Sequence, residues 1–199
     1  MALHTTPTPA TTSQTVGPYL HIGLAPRNCA DIAFDGRTDQ PNRIVVEGQV
    51  IDGDGLVLTD GMIEVWQADA AGRYDHPHDV RSGRDEAHRS ASGFGRLPTE
   101  HEGRFRFTTV KPGRVPAPDG ALQAPHLVVA YFARGLLKHL STRVYFADEA
   151  EANAEDFVLR SVPEARRHTL LAEHSAPGRY RWTLTLQGPA DRETVFFAL

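Results

Sequence analysis

One run constrains this chain more than any other: Pro125-His126-Leu127-Val128-Val129-Ala130-Tyr131-Phe132-Ala133-Arg134-Gly135. It is preceded by two turn signals, Lys111-Pro112-Gly113 and the Pro/Asp/Gly stretch from Pro116 to Gly120, so it reads as an apolar strand entered from a loop. A histidine begins it and an arginine ends it. Side chains alternate across a strand, which puts His126, Val128, Ala130, Phe132 and Arg134 on one face. That face carries a candidate ligand at one end and a fixed positive charge at the other.

The rest of the chain repeats the same kind of unit. Strands are expected at Ile44 to Asp52, Met62 to Ala68, Arg104 to Val110, His139 to Phe146, Arg179 to Gln187 and Glu193 to Leu199. Asp52-Gly53-Asp54-Gly55 follows the first as a hairpin signal, and Glu102-Gly103 turns the chain into the third. In Met62 to Ala68, Ile63, Val65 and Gln67 face one way, and Met62, Glu64 and Trp66 the other. Residues 80 to 95 lack a period and read as a long loop. A helix is expected over Asp148 to Leu159, acidic at its start, and a second short one over Pro163 to Ala172 with proline first. Many short strands, turn-rich connections and helices only as an insertion predict an all-β, antiparallel β-sandwich with a short helical insertion and an extended N-terminal arm. It reads as a single domain over 1–199, with no internal repeat, no P-loop and no dinucleotide fingerprint.

Composition narrows the function. Hydrophobic residues make up 40% and charged residues 23%, which is globular, and a net charge of −4 without a basic block argues against nucleic-acid binding. Cys29 is the sole cysteine, so neither an intrachain disulfide nor a cysteine zinc site can form. The Thr/Pro-rich start has no basic n-region or apolar h-region, and no apolar run approaches ~20 residues, so a cytoplasmic chain is expected. Residues 13 to 23, Ser-Gln-Thr-Val-Gly-Pro-Tyr-Leu-His-Ile-Gly, add an aromatic and apolar cluster to that arm, as a segment that docks would.

Few residues offer chemistry. His76 and His78 flank Pro77 beside Asp75 and Asp79, a spacing that can present two imidazoles to one ion or belong to a solvated loop. His139 reads as a buried hydrogen-bonded histidine at a strand start. His21, His88, His101, His168 and His174 read as surface residues. His126 stands out because an apolar strand gives little reason for an imidazole, although core hydrogen bonds satisfy most such histidines. Arg134 suits a bidentate carboxylate pair or a rim ion pair. No nucleophile elbow or Ser/His/Asp signature is present.

Several segments, in order along nearly the whole chain, resemble the intradiol ring-cleavage dioxygenases, and among them the family's alpha subunits. They are Ser13 to Tyr19, Gly48-Gln49-Val50, Ile63 to Asp69, Gly72-Arg73-Tyr74, Thr109 to Gly113, Ala124-Pro125-His126, Phe132 to Gly135 and Glu193 to Phe197. The resemblance implies a β-sandwich, in agreement with the strand pattern. It also implies a non-haem ferric ion held in catalytic members by two tyrosines and two histidines, since phenolates are hard anionic donors that stabilise Fe(III).

This sequence keeps Tyr74 and His126 at the first and third of those positions and has Val115 and Val128 at the second and fourth. Valine has no donor atom, so the resemblance implies no iron in this chain. The Fe(III) would be held by a partner, an iron-binding beta subunit of the same family, in a hetero-oligomer of alpha–beta pairs. Thr15, Gly17, Pro18, Tyr19 and Arg134 would complete that partner's pocket, Arg134 by neutralising a substrate carboxylate, with the arm (1–23) docking on the partner. The implied reaction is ring opening of 3,4-dihydroxybenzoate by O2. Two other readings stand beside it: a catalytically silent interaction or binding sandwich, and a self-sufficient dioxygenase recruiting His76 or His78.

Overall fold

The computed structural model describes residues 11–17, 19–25, 30–32, 42–76, 78–79, 81, 93–99, 101–117 and 120–198. Among the described residues ten strands carry the architecture: β1 (Arg43–Asp52), β2 (Met62–Gln67), β3 (Phe94–Pro98), β4 (Arg104–Val110), β5 (Val115–Pro116), β6 (Leu122–Gln123), β7 (His126–Phe132), β8 (Leu140–Phe146), β9 (Leu171–Ala176) and β10 (Arg179–Leu186). Eight of them hydrogen-bond in the order β3-β2-β7-β8-β9-β10-β1-β4, while β5 and β6 form a separate small hairpin. The eight-strand ribbon is joined between its halves by only two residue pairs, Tyr145 with Leu171 and Phe146 with Ala172. The halves β3-β2-β7-β8 and β9-β10-β1-β4 contribute to one core, which holds Ile63, Val65, Leu127, Val129 and Phe146 from the first and Val46, Phe107, Trp182 and Leu184 from the second.

The sandwich is therefore as expected, with one amendment. Most pairs are antiparallel, but β1 runs parallel to β10 and β8 parallel to β9, so the sheet is mixed. Alternation along each strand decides which face meets the core. In β10, Tyr180, Trp182, Leu184 and Leu186 are buried while Arg179 and Arg181 are exposed. β1 is central, and at Gly48 a side chain has no room, because a Cβ there would lie 1.9 Å from the Trp182 carbonyl oxygen and 2.5 Å from the Phe105 ring. Trp182 and Phe105 are its register partners on the two sides, and their rings meet edge to face at 6.3 Å between centroids.

Four expectations are corrected. The stretch expected as a loop over 80–95 ends in strand β3, paired antiparallel with β2 from Trp66–Phe94 to Met62–Pro98, while residues 82–92 lie outside the described residues. Its sequence, Phe-Gly-Arg-Leu-Pro, has too few apolar residues to announce a strand, and pairing with β2 supplies what propensity lacks. The helix expected over Asp148 to Leu159 is two, α2 (Ala150–Glu155) and α3 (Phe157–Ser161), because Asp156 adopts extended backbone between them and its side chain caps Leu159 N–H. Pro163 precedes a 3-10 helix, Glu164–Leu170, after which Leu171 opens strand β9 and does not continue the helix. The C-terminal strand reduces to one bridge, Phe197 to Ser141. Thr194 and Val195 are held instead through the Thr194 and Thr142 hydroxyls.

The arm, expected to be extended over 1–23, ends in a helical turn, α1 (Leu20–Leu24). The helices α2, α3 and the 3-10 turn pack a second cluster, Ala124, Tyr145, Ala152, Leu159, Val162 and Leu170. Tyr145 belongs to this cluster while its strand neighbours Val144 and Phe146 belong to the main core. The insertion therefore covers the outer face of β8, the face that also carries His126 and Val128.

Two turns lock the loop between β2 and β3 to the loop after β4. Asp69 accepts N–H bonds from Ala71 and Arg73 on its carboxylate, and its carbonyl accepts the N–H of Gly113. Gly72 sits at φ +75°, where a Cβ would lie 1.9 Å from the Arg114 carbonyl oxygen. Neither the left-handed backbone nor the space tolerates a side chain. We expect Gly72→Ala to lower unfolding stability by roughly 2 kcal/mol or more, read as a fall in the urea midpoint; an unchanged midpoint would disprove this contact.

Candidate functional site

The outer face of β7 can be built residue by residue. Val128 lies across from Trp66 of β2 on one side and Arg143 of β8 on the other, and His126 lies across from Tyr145. Tyr74 is set by its loop: its N–H donates to the Asp79 carboxylate, which is also held by Arg81. That bond to Arg81, against some burial, holds the Asp79 carboxyl down at about 2. The Tyr74 ring then rests on Trp66, with 4.7 Å between centroids. Val115, in β5, pairs with Gln123 of β6, and Gln123 Oε1 accepts a hydrogen bond from Arg143 Nη1 at 2.8 Å. All four positions singled out from the sequence, Tyr74, Val115, His126 and Val128, thus gather at one end of β7, and Arg143 stands among them.

The electrostatics follow from that arrangement. His126 is buried, and its Nδ1–H donates to the Ala124 carbonyl at 2.8 Å, which leaves Nε2 unprotonated in the neutral ring. Burial first, and the Arg143 charge second, lower its pKa to about 4, against the favourable Ala124 bond and the Asp156 charge. The Tyr74 phenol is raised by burial, with Arg143 and Arg81 pulling the other way. The Tyr145 phenol is also raised, chiefly by burial, and its hydroxyl donates to Asp156 at 3.1 Å while lying 3.5 Å from Arg143 Nη1. Asp156 is fully buried and also accepts the N–H groups of Ala124 and Leu159, each at 2.8 Å.

The donor set does not fit a ferric ion. One phenol and one imidazole remain, Val115 and Val128 supply nothing, and a guanidinium with no lone pair to give occupies their midst. Among the described residues no group of three or more His, Cys, Asp or Glu converges as a metal site. Nor do His76 and His78 repair the deficit: both are exposed, and His76 Nδ1 accepts the backbone N–H of His78 at 3.2 Å. His139, expected to be buried, is exposed and stacks on Phe132 at 5.2 Å.

The other end of β7 has a different composition. Arg134 is largely exposed, at 63% of its side chain, and its Nε donates to the Asp60 carboxylate. Beside it the arm docks on the body of the chain, where the Gly135 N–H donates to Thr15 Oγ1 at 2.8 Å. A cleft of about 470 Å³ opens there, lined among others by Gln14 and Val16 of the arm and by Phe132, Leu136, His139 and Phe197. Gly17 is exposed, Tyr19 is 78% exposed just before α1, and Pro18 lies outside the described residues, as do Cys29 and His88. From His126 to Phe132 β7 spans about 20 Å at about 3.3 Å per residue, and Arg134 lies in the turn beyond that far end. The structure therefore brings Thr15 and Arg134 together and Tyr74 and His126 together, and keeps the two groups apart.

Sequence reasoning missed Arg143, Gln123, Tyr145 and Asp156. The signal was available for Arg143: like His126, it is a polar residue inside an apolar strand, followed by Val144, Tyr145 and Phe146. Asp156 looked like one more acid on an acidic helix.

His126 makes a measurable prediction. The unfolded chain takes up a proton here near pH 6.5, the folded chain only near 4. Its stabilising contribution is complete above pH 6.5 and is lost as the pH falls from there towards 4. Urea unfolding should lose about 2 kcal/mol more between pH 7 and pH 5 in the native chain than in His126→Gln; equal losses would contradict a neutral buried imidazole.

A family model described as dioxygenase matches residues 16–188. The protocatechuate 3,4-dioxygenase alpha chain of Burkholderia cepacia is 44% identical over 200 residues, covering 94% of this chain and 96% of that one. The beta chain from the same organism is 36% identical over 67% of this chain and 56% of its own length. Among solved structures, catechol 1,2-dioxygenase from Acinetobacter sp. ADP1 shares the fold at a TM-score of 0.61 and 17% identity, with 82% of this chain matched to 58% of that one. With a β-sandwich, a family model over most of the chain and a full-length match at this identity, the chain belongs to the intradiol ring-cleavage dioxygenase family.

Proposed function

We propose that this chain is the alpha, non-iron subunit of a protocatechuate 3,4-dioxygenase. In this reading it forms alpha–beta pairs with an iron-binding beta subunit, and the pair opens 3,4-dihydroxybenzoate with O2 to 3-carboxy-cis,cis-muconate. The non-haem Fe(III) belongs to the beta subunit. The observation that carries the reading is that Arg134 lies in the turn beyond the far end of β7, with about 20 Å of strand between it and His126. Arg134 is too far from Tyr74 and His126 to serve one catechol-sized substrate with them, so its charge is directed at a site outside this chain's own ligand positions.

The chemistry of the Arg134 end suits that role. An exposed guanidinium forms charge-assisted pairs with carboxylates, and the ring carboxylate is what distinguishes 3,4-dihydroxybenzoate from catechol. Thr15, Gly17, Pro18 and Tyr19 would line the same mouth, with Thr15 bonded to Gly135, the neighbour of Arg134. The single domain, its arm (1–23) on the partner and a cytoplasmic location complete the proposal; among the described residues no helix is long and apolar enough to cross a membrane.

Two experiments test it. Co-purified with its iron-binding partner, Arg134→Gln should raise KM for 3,4-dihydroxybenzoate about 10- to 100-fold, the worth of a charge-assisted hydrogen-bonded pair, and leave catechol turnover nearly unchanged. An equal effect on both substrates would rule out carboxylate recognition. Purified alone, the native chain should carry no iron by elemental analysis and show no phenolate-to-iron absorption band; iron-dependent ring cleavage by the isolated chain would overturn the assignment.

A further inference from the structure

We infer that Arg143 occupies the cation position of the former metal site, and that its fixed charge bars ferric iron from this chain independently of the two lost donors. The inference rests on the reading of the chain as the non-iron subunit and adds a second, separable cause. Val128, Val115 and His126 reach Arg143 directly or through one residue, and Tyr74 reaches it through Trp66 and Val128. Val128 is its direct cross-strand partner. Val115 pairs with Gln123, which accepts from Arg143 Nη1 at 2.8 Å. His126 lies opposite Tyr145, whose hydroxyl is 3.5 Å from the same nitrogen. Tyr74 packs on Trp66, the other cross-strand neighbour of Val128. The Arg143 charge also registers at both surviving donors.

The guanidinium is built in. Gln123 fixes one edge, and the Tyr145 hydroxyl donates a hydrogen bond to the buried Asp156 carboxylate, so a carboxylate, a phenol and a guanidinium stand in sequence. Arginine stays protonated at any pH the fold survives. A ferric ion brought to this place would meet a permanent like charge that it cannot displace by deprotonation, as it would displace the proton of a tyrosine.

The test restores the donors with and without the charge. V115Y/V128H, V115Y/V128H/R143Q and V115Y/V128H/R143K are purified, checked for fold by circular dichroism, loaded with iron and dialysed. The R143Q triple variant is expected to hold about one iron per chain with a visible phenolate-to-iron band, and the other two no more than about a tenth of that. Val115 is buried and its replacement can disturb the fold, so V128H is also compared with V128H/R143Q for cobalt(II), where R143Q should tighten binding at least about tenfold. Stoichiometric iron in V115Y/V128H, equal loading of the lysine and glutamine variants, or equal cobalt affinities would each overturn the inference. Iron in the unmodified chain would overturn the non-iron reading as well, which keeps the two failures distinguishable.

Discussion

Much of the candidate site depends on one buried carboxylate. Asp156 caps α3, holds the Ala124 N–H at the entry to β7 and receives the Tyr145 hydroxyl from β8. Three successive parts of the chain are thereby fixed to each other at the point where the sandwich meets its helical insertion. A fully buried carboxylate is tolerable only with several donors on it, and here it has three. The same requirement explains why the helix breaks at this residue: an aspartate in extended conformation can cap the next helix, and one in mid-helix cannot.

The sandwich itself was legible because alternation is a local signal. Tyr180, Trp182, Leu184 and Leu186 face inward at every second residue, and no tertiary knowledge is needed to see it. β3 and β9 were illegible for the converse reason. Phe94 to Pro98 and Leu171 to Ala176 carry little alternation of their own and become strands by pairing with β2, β10 and the end of β8. The parallel pairing of β1 with β10 joins residues more than a hundred positions apart, and nothing in either strand marks its direction.

The site divides along the same line. His126 and Arg134 stood out from the strand period, while Tyr74, Val115 and Val128 were named only through the family resemblance. The network around them was illegible, because Gln123, Arg143, Tyr145 and Asp156 acquire meaning only once β5–β6, β7, β8 and α3 are brought together. A polar residue in an apolar strand is a visible anomaly; the partner that satisfies it is a property of the fold.

The length of β7 has a consequence of its own. The two ends of this strand are about 20 Å apart, and the exposed Arg134 beyond one of them is surrounded by screening solvent. A substitution that altered the electrostatics around His126 would therefore go almost unfelt at Arg134. A substitution at one end of the strand can thus leave the chemistry of the other end in place. The strand is rigid enough to hold both ends in register and long enough to let them be altered separately.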